Sequence, residues 1–120
     1  MLVDDHPSVL VAFGRLLQEC CEVIATVATG SEAIEAARRL KPDVLVVDLM
    51  LPDLDGLEVC RRVKNATPET DVVIVTAFAD AQVETVALQC GASAFVSKHW
   101  ASQTLVPTIL GIRAARHGIP

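Results

Sequence analysis

Five polar side chains that can take part in chemistry follow apolar segments of the sequence. They are Asp4 and Asp5 after "MLV", Asp48 after "VLVV", Thr76 after "VVIV" and Lys98 after "AFVS". Crowded carboxylates repel one another unless a cation lies among them, and hard oxygen ligands suit Mg2+. A divalent cation, an ammonium group, a hydroxyl and a central carboxylate can together stabilise a phosphoryl group on that carboxylate. The sequence therefore predicts a magnesium site at Asp4 and Asp5, with Asp48 as the central carboxylate.

The segments that carry these residues alternate between strand-like and helix-like patterns. Apolar runs rich in Val and Ile predict a first strand at "MLV" and further strands at 22–28, 43–49, 71–77 and 94–97. Apolar residues at three-to-four spacing predict five helices. The first helix is predicted to begin at Pro7, the second to be capped by Ser31 and to stop at Pro42, and the third to begin at Asp55-Gly56. The fourth is predicted to run from about Asp80 to Cys90, before Gly91, and the last from near Thr104 to His117, before Gly118.

Strict alternation of this kind predicts an α/β domain with a parallel sheet. Ligands of open parallel sheets bind outside the carboxyl ends of the strands. All five polar residues should therefore face one crevice.

The late start predicted for the last helix concerns Pro107. A helix that began at Ser102 would place Pro107 beyond its first turn, at a cost of about 3 kcal/mol. A start at Thr104 places the proline in the first turn, where amide hydrogens have no intrahelical partner. We therefore expect the helix to begin at Thr104.

Length and composition restrict the class of protein. The chain has 120 residues, of which 52% are hydrophobic and 21% charged, so we expect one folded domain rather than a disordered tail. No apolar run approaches the roughly 18 residues of a membrane helix, and no leader for export is evident. The net charge of −5 argues against direct binding of nucleic acid. Cys20, Cys21, Cys60 and Cys90 contain no Cys-x-x-Cys pattern and predict free thiols in a reducing cytoplasm.

These motifs resemble the receiver domains of bacterial two-component response regulators, and the resemblance covers the chain almost end to end. The acidic pair of that family matches Asp4 and Asp5, and its phosphoacceptor matches Asp48 within "DLMLPDLDGLE". Its Thr or Ser matches Thr76, and its lysine matches Lys98 within "GASAFVSK". The segments "VDDHP" and "GLEVCRRVK" are most similar to the subfamily with a LuxR-type helix-turn-helix output domain.

The resemblance implies a fold and a function. Residues 1–120 are expected to form one receiver domain, a flavodoxin-like three-layer sandwich with five parallel strands in the order 2-1-3-4-5 and five helices. Asp48 would accept a phosphoryl group from a sensor histidine kinase, with Mg2+ held directly by Asp5 and Asp48, mostly through water by Asp4, and by the backbone carbonyl of Met50. Thr76 and Phe95 would then change the surface of the fourth helix, fifth strand and fifth helix. DNA would be contacted only through an output domain absent from this chain, and a homodimer is a further partner that the resemblance allows.

Three other functions share features with this pattern. A haloacid-dehalogenase-type phosphotransferase also uses a strand-end Asp with Mg2+, but it needs a second Asp two residues on, where this sequence has Met50. A flavodoxin-like flavin carrier needs a Ser/Thr/Gly-rich phosphate loop after the first strand, which is missing. A receiver fold that serves only as a phosphorylation-independent interaction module is the third alternative. The intact five-residue set argues against it.

Some positions depart from the family pattern or have a second interpretation. The first strand has only Met1 to Val3 before the acidic pair, which is short for a central strand, and the chain ends where a linker to an output domain would begin. His99 and Trp100 follow Lys98, where the family often has proline. Pro52 and Gly56 shape the loop after Asp48, with Asp55 as the cap of the next helix. Phe95 can also be read as a core residue, and His6 either lies in solvent or borders the acidic pocket.

Overall fold

The computed structural model describes residues 1–116, which form a parallel sheet between two layers of helices. The elements in chain order are β1 (Leu2–Val3), α1 (Pro7–Leu17), β2 (Thr26–Val27), α2 (Gly30–Leu40), β3 (Val44–Asp48), α3 (Gly56–Ala66), β4 (Asp71–Thr76), α4 (Ala81–Gln89), β5 (Ala94–Ser97), a 3-10 turn (Lys98–Trp100) and α5 (Ala101–Arg116). The strands are ordered β2-β1-β3-β4-β5 and all neighbours are parallel. This confirms the predicted fold class and strand order.

Side chains of the central strands alternate between two buried clusters. Val47 lies in a cluster that α2, α3 and α4 cover, through residues such as Ala33, Val59 and Ala87. Its neighbour Val46 lies in a second cluster, which α1 and α5 cover. Successive side chains of a strand point to opposite faces, and a parallel sheet covered on both faces is apolar on both. The continuous "VLVV" and "VVIV" runs therefore follow from burial on both sides of the sheet.

Strand β2 is shorter than the sequence predicted. Only Thr26 and Val27 are paired, opposite Leu2 and Val3 of β1, whereas the predicted strand covered residues 22–28. Residues 22–28 are mostly apolar and β-branched, as strands often are, but a residue belongs to a strand only when it pairs with a neighbouring one. Residues 22–25 carry this pattern but are not paired in the sheet.

The cap of α2 is also corrected. Thr29, and not Ser31, is the N-cap: its hydroxyl accepts a hydrogen bond from the Glu32 amide at 3.2 Å and donates to the Glu32 carboxylate at 2.9 Å. Both bonds join the Thr29 side chain to Glu32, so the helix starts two residues earlier than predicted. The predicted stop is confirmed, since Lys41 before Pro42 leaves the helical region with a φ of 48°.

Helix α5 begins at Ala101, so the prediction that it begins near Thr104 was wrong. The 3-10 turn leads directly into the helix, and Pro107 lies in its interior. The earlier start buries Ala101, Leu105 and Ile109 as one stripe against the sheet. Burial of that stripe outweighs the hydrogen bond that the proline cannot make. The predicted end at His117 and Gly118 lies outside the described residues.

The other helix limits agree with the sequence. Helix α1 begins at Pro7, α3 begins after Asp55, and α4 follows Asp80, with both aspartates capping their helices. Gly91 follows α4 with a φ of +102°, a conformation that favours glycine. Within residues 1–116, none of the helices has the length and apolar character needed to cross a membrane.

Candidate functional site

Four side chains at the carboxyl edge of the sheet form a compact cluster of possible metal ligands. One ligand atom from each of Asp4, Asp5, His6 and Asp48 lies within 4.8 Å of the others. The sheet register explains this, because Val3 pairs with Val47 and the aspartates that follow leave β1 and β3 at the same level. Asp4 and Asp48 are buried, whereas Asp5 is exposed. The structure therefore brings together the three carboxylates that the sequence selected.

Lys98 reaches this cluster from the end of β5. Its ammonium nitrogen lies 2.8 Å from Asp4 Oδ2 and 3.2 Å from Asp48 Oδ2, so it bridges the two buried carboxylates. Burial alone lowers the pKa of Lys98, but hydrogen bonds and charge attraction from the two aspartates outweigh burial and raise this pKa above its ordinary value. Lys98 is therefore a fixed positive charge beside Asp48 at neutral pH.

The charge of the cluster remains negative. Burial raises the pKa of Asp48; the Lys98 ammonium opposes this and the Asp4 carboxylate adds to it. Three carboxylates against one ammonium leave two negative charges uncompensated. A divalent cation has the charge that would balance them, and carboxylate oxygens are the ligands that Mg2+ prefers. The donor set therefore fits Mg2+.

Thr76 ends β4 beside this cluster. Asp48 pairs with Val75, so Thr76 lies one residue further toward the carboxyl edge. The side chain is fully buried, and its hydroxyl oxygen accepts a hydrogen bond from the Phe78 amide at 3.0 Å. The hydroxyl hydrogen is still available as a donor. Thr76 thus links the end of β4 to the loop that follows it.

The loop after Asp48 is held close to that residue. The Met50 amide donates to Asp48 Oδ1 at 3.3 Å, and the Gly56 amide donates to the Leu49 carbonyl at 2.7 Å. A Cβ atom on Gly56 would lie 2.5 Å from the Asp48 carbonyl oxygen, so only glycine allows α3 to begin here. This explains the "DG" at the start of α3 and agrees with the structural interpretation of Gly56. The Met50 side chain itself is exposed.

Asp53, which sequence analysis did not select, ties this loop to α2. Its carboxylate accepts hydrogen bonds from the Gly30 amide at 2.8 Å, the Ser31 amide at 2.9 Å and the Ser31 hydroxyl at 2.7 Å. These bonds hold the pKa of Asp53 well below its usual range. An acidic residue is a plausible partner for a helix N-terminus, but the partner helix lies more than twenty positions upstream. Only the tertiary structure reveals this contact.

His6 and Phe95 are placed where the sequence left alternatives open. His6 borders the acidic pocket, since its Nδ1 atom is 3.1 Å from Asp4 Oδ1 and 3.1 Å from Asp5 Oδ1. Phe95 is half-buried on β5, pairs with Ile74 of β4 and packs against the cluster covered by α2, α3 and α4. The second aromatic near the site, Phe78, is 69% exposed in the loop after β4. His99 packs edge-on against Trp100 in the turn after Lys98, with ring centres 4.7 Å apart.

Comparison with known proteins agrees with this site. A family model described as response regulator receiver domain matches residues 1–110. The chain is a receiver domain. This receiver belongs to the same family as the signal receivers of two-component systems, which bind Mg2+ at an acidic pocket. The family match argues against both the haloacid-dehalogenase-type phosphotransferase and the flavin carrier.

Curated relatives of this receiver are named as a transcriptional regulator and as response regulators. It is 34% identical over 119 residues to a putative transcriptional regulator of Pseudomonas aeruginosa, covering 98% of this chain and 56% of the relative. It is 35% identical over 100 residues to the response regulator protein VraR of Staphylococcus epidermidis, covering 82% of this chain and 48% of the relative. The receiver therefore spans about half the length of these curated relatives.

Solved structures give the same result. A two-component response regulator of the LuxR family from Aurantimonas sp. superposes with a TM-score of 0.91 at 33% identity, covering 96% of this chain and 84% of that one. The signal receiver domain of the putative response regulator NarL from Mycobacterium tuberculosis superposes with a TM-score of 0.86 at 27% identity, covering 92% of this chain and 91% of that one. The predicted similarity to LuxR-type regulators is confirmed.

Proposed function

We propose that this receiver accepts a phosphoryl group on Asp48 in a Mg2+-dependent reaction and thereby changes its surface. The observation that carries the proposal is the Lys98 ammonium, which bridges Asp4 and Asp48 inside a cluster of three carboxylates. A permanent positive charge beside Asp48 would stabilise the negatively charged oxygens of a phosphoryl group attached to that carboxylate. The alternative interaction module, without phosphorylation, gives no reason for so many charges to be buried together.

The phosphoryl donor would be the phosphohistidine of a sensor histidine kinase. An oxygen of the Asp48 carboxylate attacks phosphorus in line, the bond between phosphorus and the histidine nitrogen breaks, and that electron pair stays on the imidazole. Lys98 stabilises negative charge on the equatorial oxygens. Asp5, Asp48 and the Met50 carbonyl would hold Mg2+, with Asp4 mostly through water, and the ion would supply further charge neutralisation. The receiver contributes half of the active site and is not an enzyme by itself.

The signal would leave the site through Thr76. Its oxygen already accepts a hydrogen bond from the Phe78 amide, and its hydrogen is free to donate to a phosphoryl oxygen. Movement of the hydroxyl toward the phosphoryl group would draw the loop after β4 inward. Phe95 would then rotate into the space that becomes available. The result would be a population shift in the surface formed by α4, β5 and α5.

The output of this switch would be control of transcription in the cytoplasm. The curated relatives, one of them named as a transcriptional regulator, are about twice the length of this receiver, and a similar solved structure belongs to the LuxR family; both support a separate LuxR-type DNA-binding domain as the output. The net charge of −5 supports contact with DNA only through such a domain. The free cysteines of the described residues support a reducing compartment. A homodimer formed through the α4–β5–α5 surface would couple phosphorylation to DNA binding.

The first test is phosphorylation by acetyl phosphate with Mg2+, measured by intact-protein mass spectrometry. We expect one acid-labile phosphoryl group on the wild type and none on Asp48→Asn. Asp43→Asn is the matched control, because Asp43 is an exposed aspartate just before the opposite end of β3. A stoichiometric labile phosphoryl group on Asp48→Asn would refute the assignment. An unmodified wild type under conditions that phosphorylate another receiver would favour the interaction module.

A further inference from the structure

The imidazole of His6 lies at the rim of the carboxylate cluster. Its Nδ1 atom is 3.1 Å from an oxygen of Asp4 and 3.1 Å from an oxygen of Asp5. These ligand atoms, together with one from Asp48, lie within 4.8 Å of one another. The His6 side chain is 64% exposed, so a cation from solvent can reach the nitrogen. One nitrogen donor is therefore added to a site that otherwise offers oxygen.

The position of Nδ1 beside two carboxylate oxygens suits a cation that the three atoms share. Nδ1 faces two carboxylate oxygens, but it can carry one hydrogen at most and can satisfy only one of them well. If the hydrogen is on the other ring nitrogen, the Nδ1 lone pair points at negative oxygens. A metal ion shared by the nitrogen and the carboxylates removes this repulsion, because all of these atoms are then ligands.

The backbone holds His6 in this position. Its amide donates to Asp4 Oδ1 at 2.9 Å, and its carbonyl accepts hydrogen bonds from the amides of Val9 and Leu10 in the first turn of α1. His6 is the N-cap of that helix and precedes Pro7. The Cα atom is therefore fixed beside the cluster, and only the side-chain torsions need to adjust for the ring to bind an ion.

We propose that His6 is a nitrogen ligand of the metal site, which shifts the cation preference of the receiver from Mg2+ toward borderline transition metals such as Ni2+. Imidazole is a good ligand for Ni2+, whereas Mg2+ prefers oxygen and keeps its waters. The inference rests on the metal site of the proposed function and adds to it the class of ion that the site selects.

Pulsed electron paramagnetic resonance of Mn2+ tests this directly, because a coordinated 14N nucleus modulates the electron spin echo. The chain has three histidines, His6, His99 and His117, and the experiment uses protein without an affinity tag. A double variant, His99→Gln with His117→Gln, keeps His6 as the single imidazole and should retain the 14N modulation of the wild type. His6→Gln should lose it. Circular dichroism verifies that His6→Gln is folded, and if it is not, the double variant alone decides.

Calorimetric titration with Ni2+ and with Mg2+ gives a second readout. We expect the ratio of Ni2+ to Mg2+ affinity to fall at least about tenfold in His6→Gln and to stay unchanged in the double variant. Absence of 14N modulation in the double variant, or an unchanged ratio in folded His6→Gln, would overturn the proposal. Acetyl phosphate labelling of the wild type with Mg2+ does not depend on nitrogen ligation. The proposed function and this inference can therefore fail separately.

Discussion

Replacement of Asp48 by asparagine should stabilise the metal-free receiver at neutral pH. The carboxylate is 4% exposed and lies in a cluster with two other carboxylates. Asparagine has nearly the same shape but carries no charge. The substitution that is expected to abolish phosphorylation should therefore make the folded protein more stable, which would separate loss of function from loss of structure.

The magnitude follows from the distances. Asp48 has an oxygen within 4.8 Å of one on Asp4 and of one on Asp5. With an effective dielectric constant of about 20, each repulsion at that distance is about 3.5 kcal/mol. The attraction between Asp48 and Lys98 at 3.2 Å is about 5 kcal/mol on the same scale. Asp5 is exposed and partly screened, so we expect a net gain of about 1–2 kcal/mol for the variant.

The pH dependence has a definite sign. The pKa of Asp48 is raised in the folded state, so the native protein binds this proton more tightly than the unfolded chain does. Protonated Asp48 therefore favours folding, and this contribution is lost as the pH rises through the folded pKa. The advantage of the asparagine variant should be absent below the ordinary Asp pKa of about 3.9, grow as the pH rises above it, and level off once the pH exceeds the folded-state pKa.

Urea unfolding with EDTA measures this effect at a series of pH values. Asp43→Asn is the control, and its free energy of unfolding should change by no more than about 0.5 kcal/mol. Added Mg2+ should reduce the difference in free energy of unfolding between Asp48→Asn and the wild type, because Mg2+ binding stabilises the wild type. If Asp48→Asn is less stable than the wild type at pH 7.5, attraction to Lys98 dominates the site. A gain that does not vary with pH would show that charge is not its cause.

Three further predictions concern the metal, the lifetime of the signal and the last helix. Asp5→Ala should weaken Mg2+ binding much more than Asp53→Ala, because Asp53 is bonded to α2 and not to the cluster; equal losses in a titration would contradict this. Met50 and Phe78 cannot accept a proton from water, so dephosphorylation should be slow, and Met50→Asn with Phe78→Glu should shorten the half-life of the phosphoryl label; an equal or longer half-life would mean that water access is controlled elsewhere. Pro107→Ala should restore a helix hydrogen bond and raise the free energy of unfolding by up to about 3 kcal/mol, and destabilisation would show that the ring packs favourably.

The sequence predicted the residues at the ends of the strands well. Asp4, Asp48 and Thr76 each follow an apolar run, and the parallel sheet brings their strand ends to one edge. Once the alternation of elements is recognised, the site follows from topology alone. Lys98 is reached in the same way, although its ion pairs depend on a side chain long enough to cross from β5.

The features that the sequence missed depend on contacts between distant segments. Asp53 binds the start of α2, and the extent of β2 depends on which residues pair with β1; no local pattern can report either contact. The predicted start of α5 was wrong because the prediction considered the cost of Pro107 inside the helix but not the free energy gained by burying Leu105 and Ile109. At the start of α5, local propensity was outweighed by tertiary packing.

The two sides of the site differ in how tightly they are packed, and the close approach of Gly56 to the Asp48 carbonyl makes the α3 side the tighter one. On one side, the start of α3 contacts the backbone of Asp48, and Asp53 ties the same loop to α2. On the other side, α4 has nine residues of which only Ala87 is buried, so little packing resists its displacement. If Asp48 is phosphorylated as proposed, we expect the structural change on the α4 side of the site rather than on the α3 side. The absence of a side chain at Gly56 thus places the rigid contact on the α3 side.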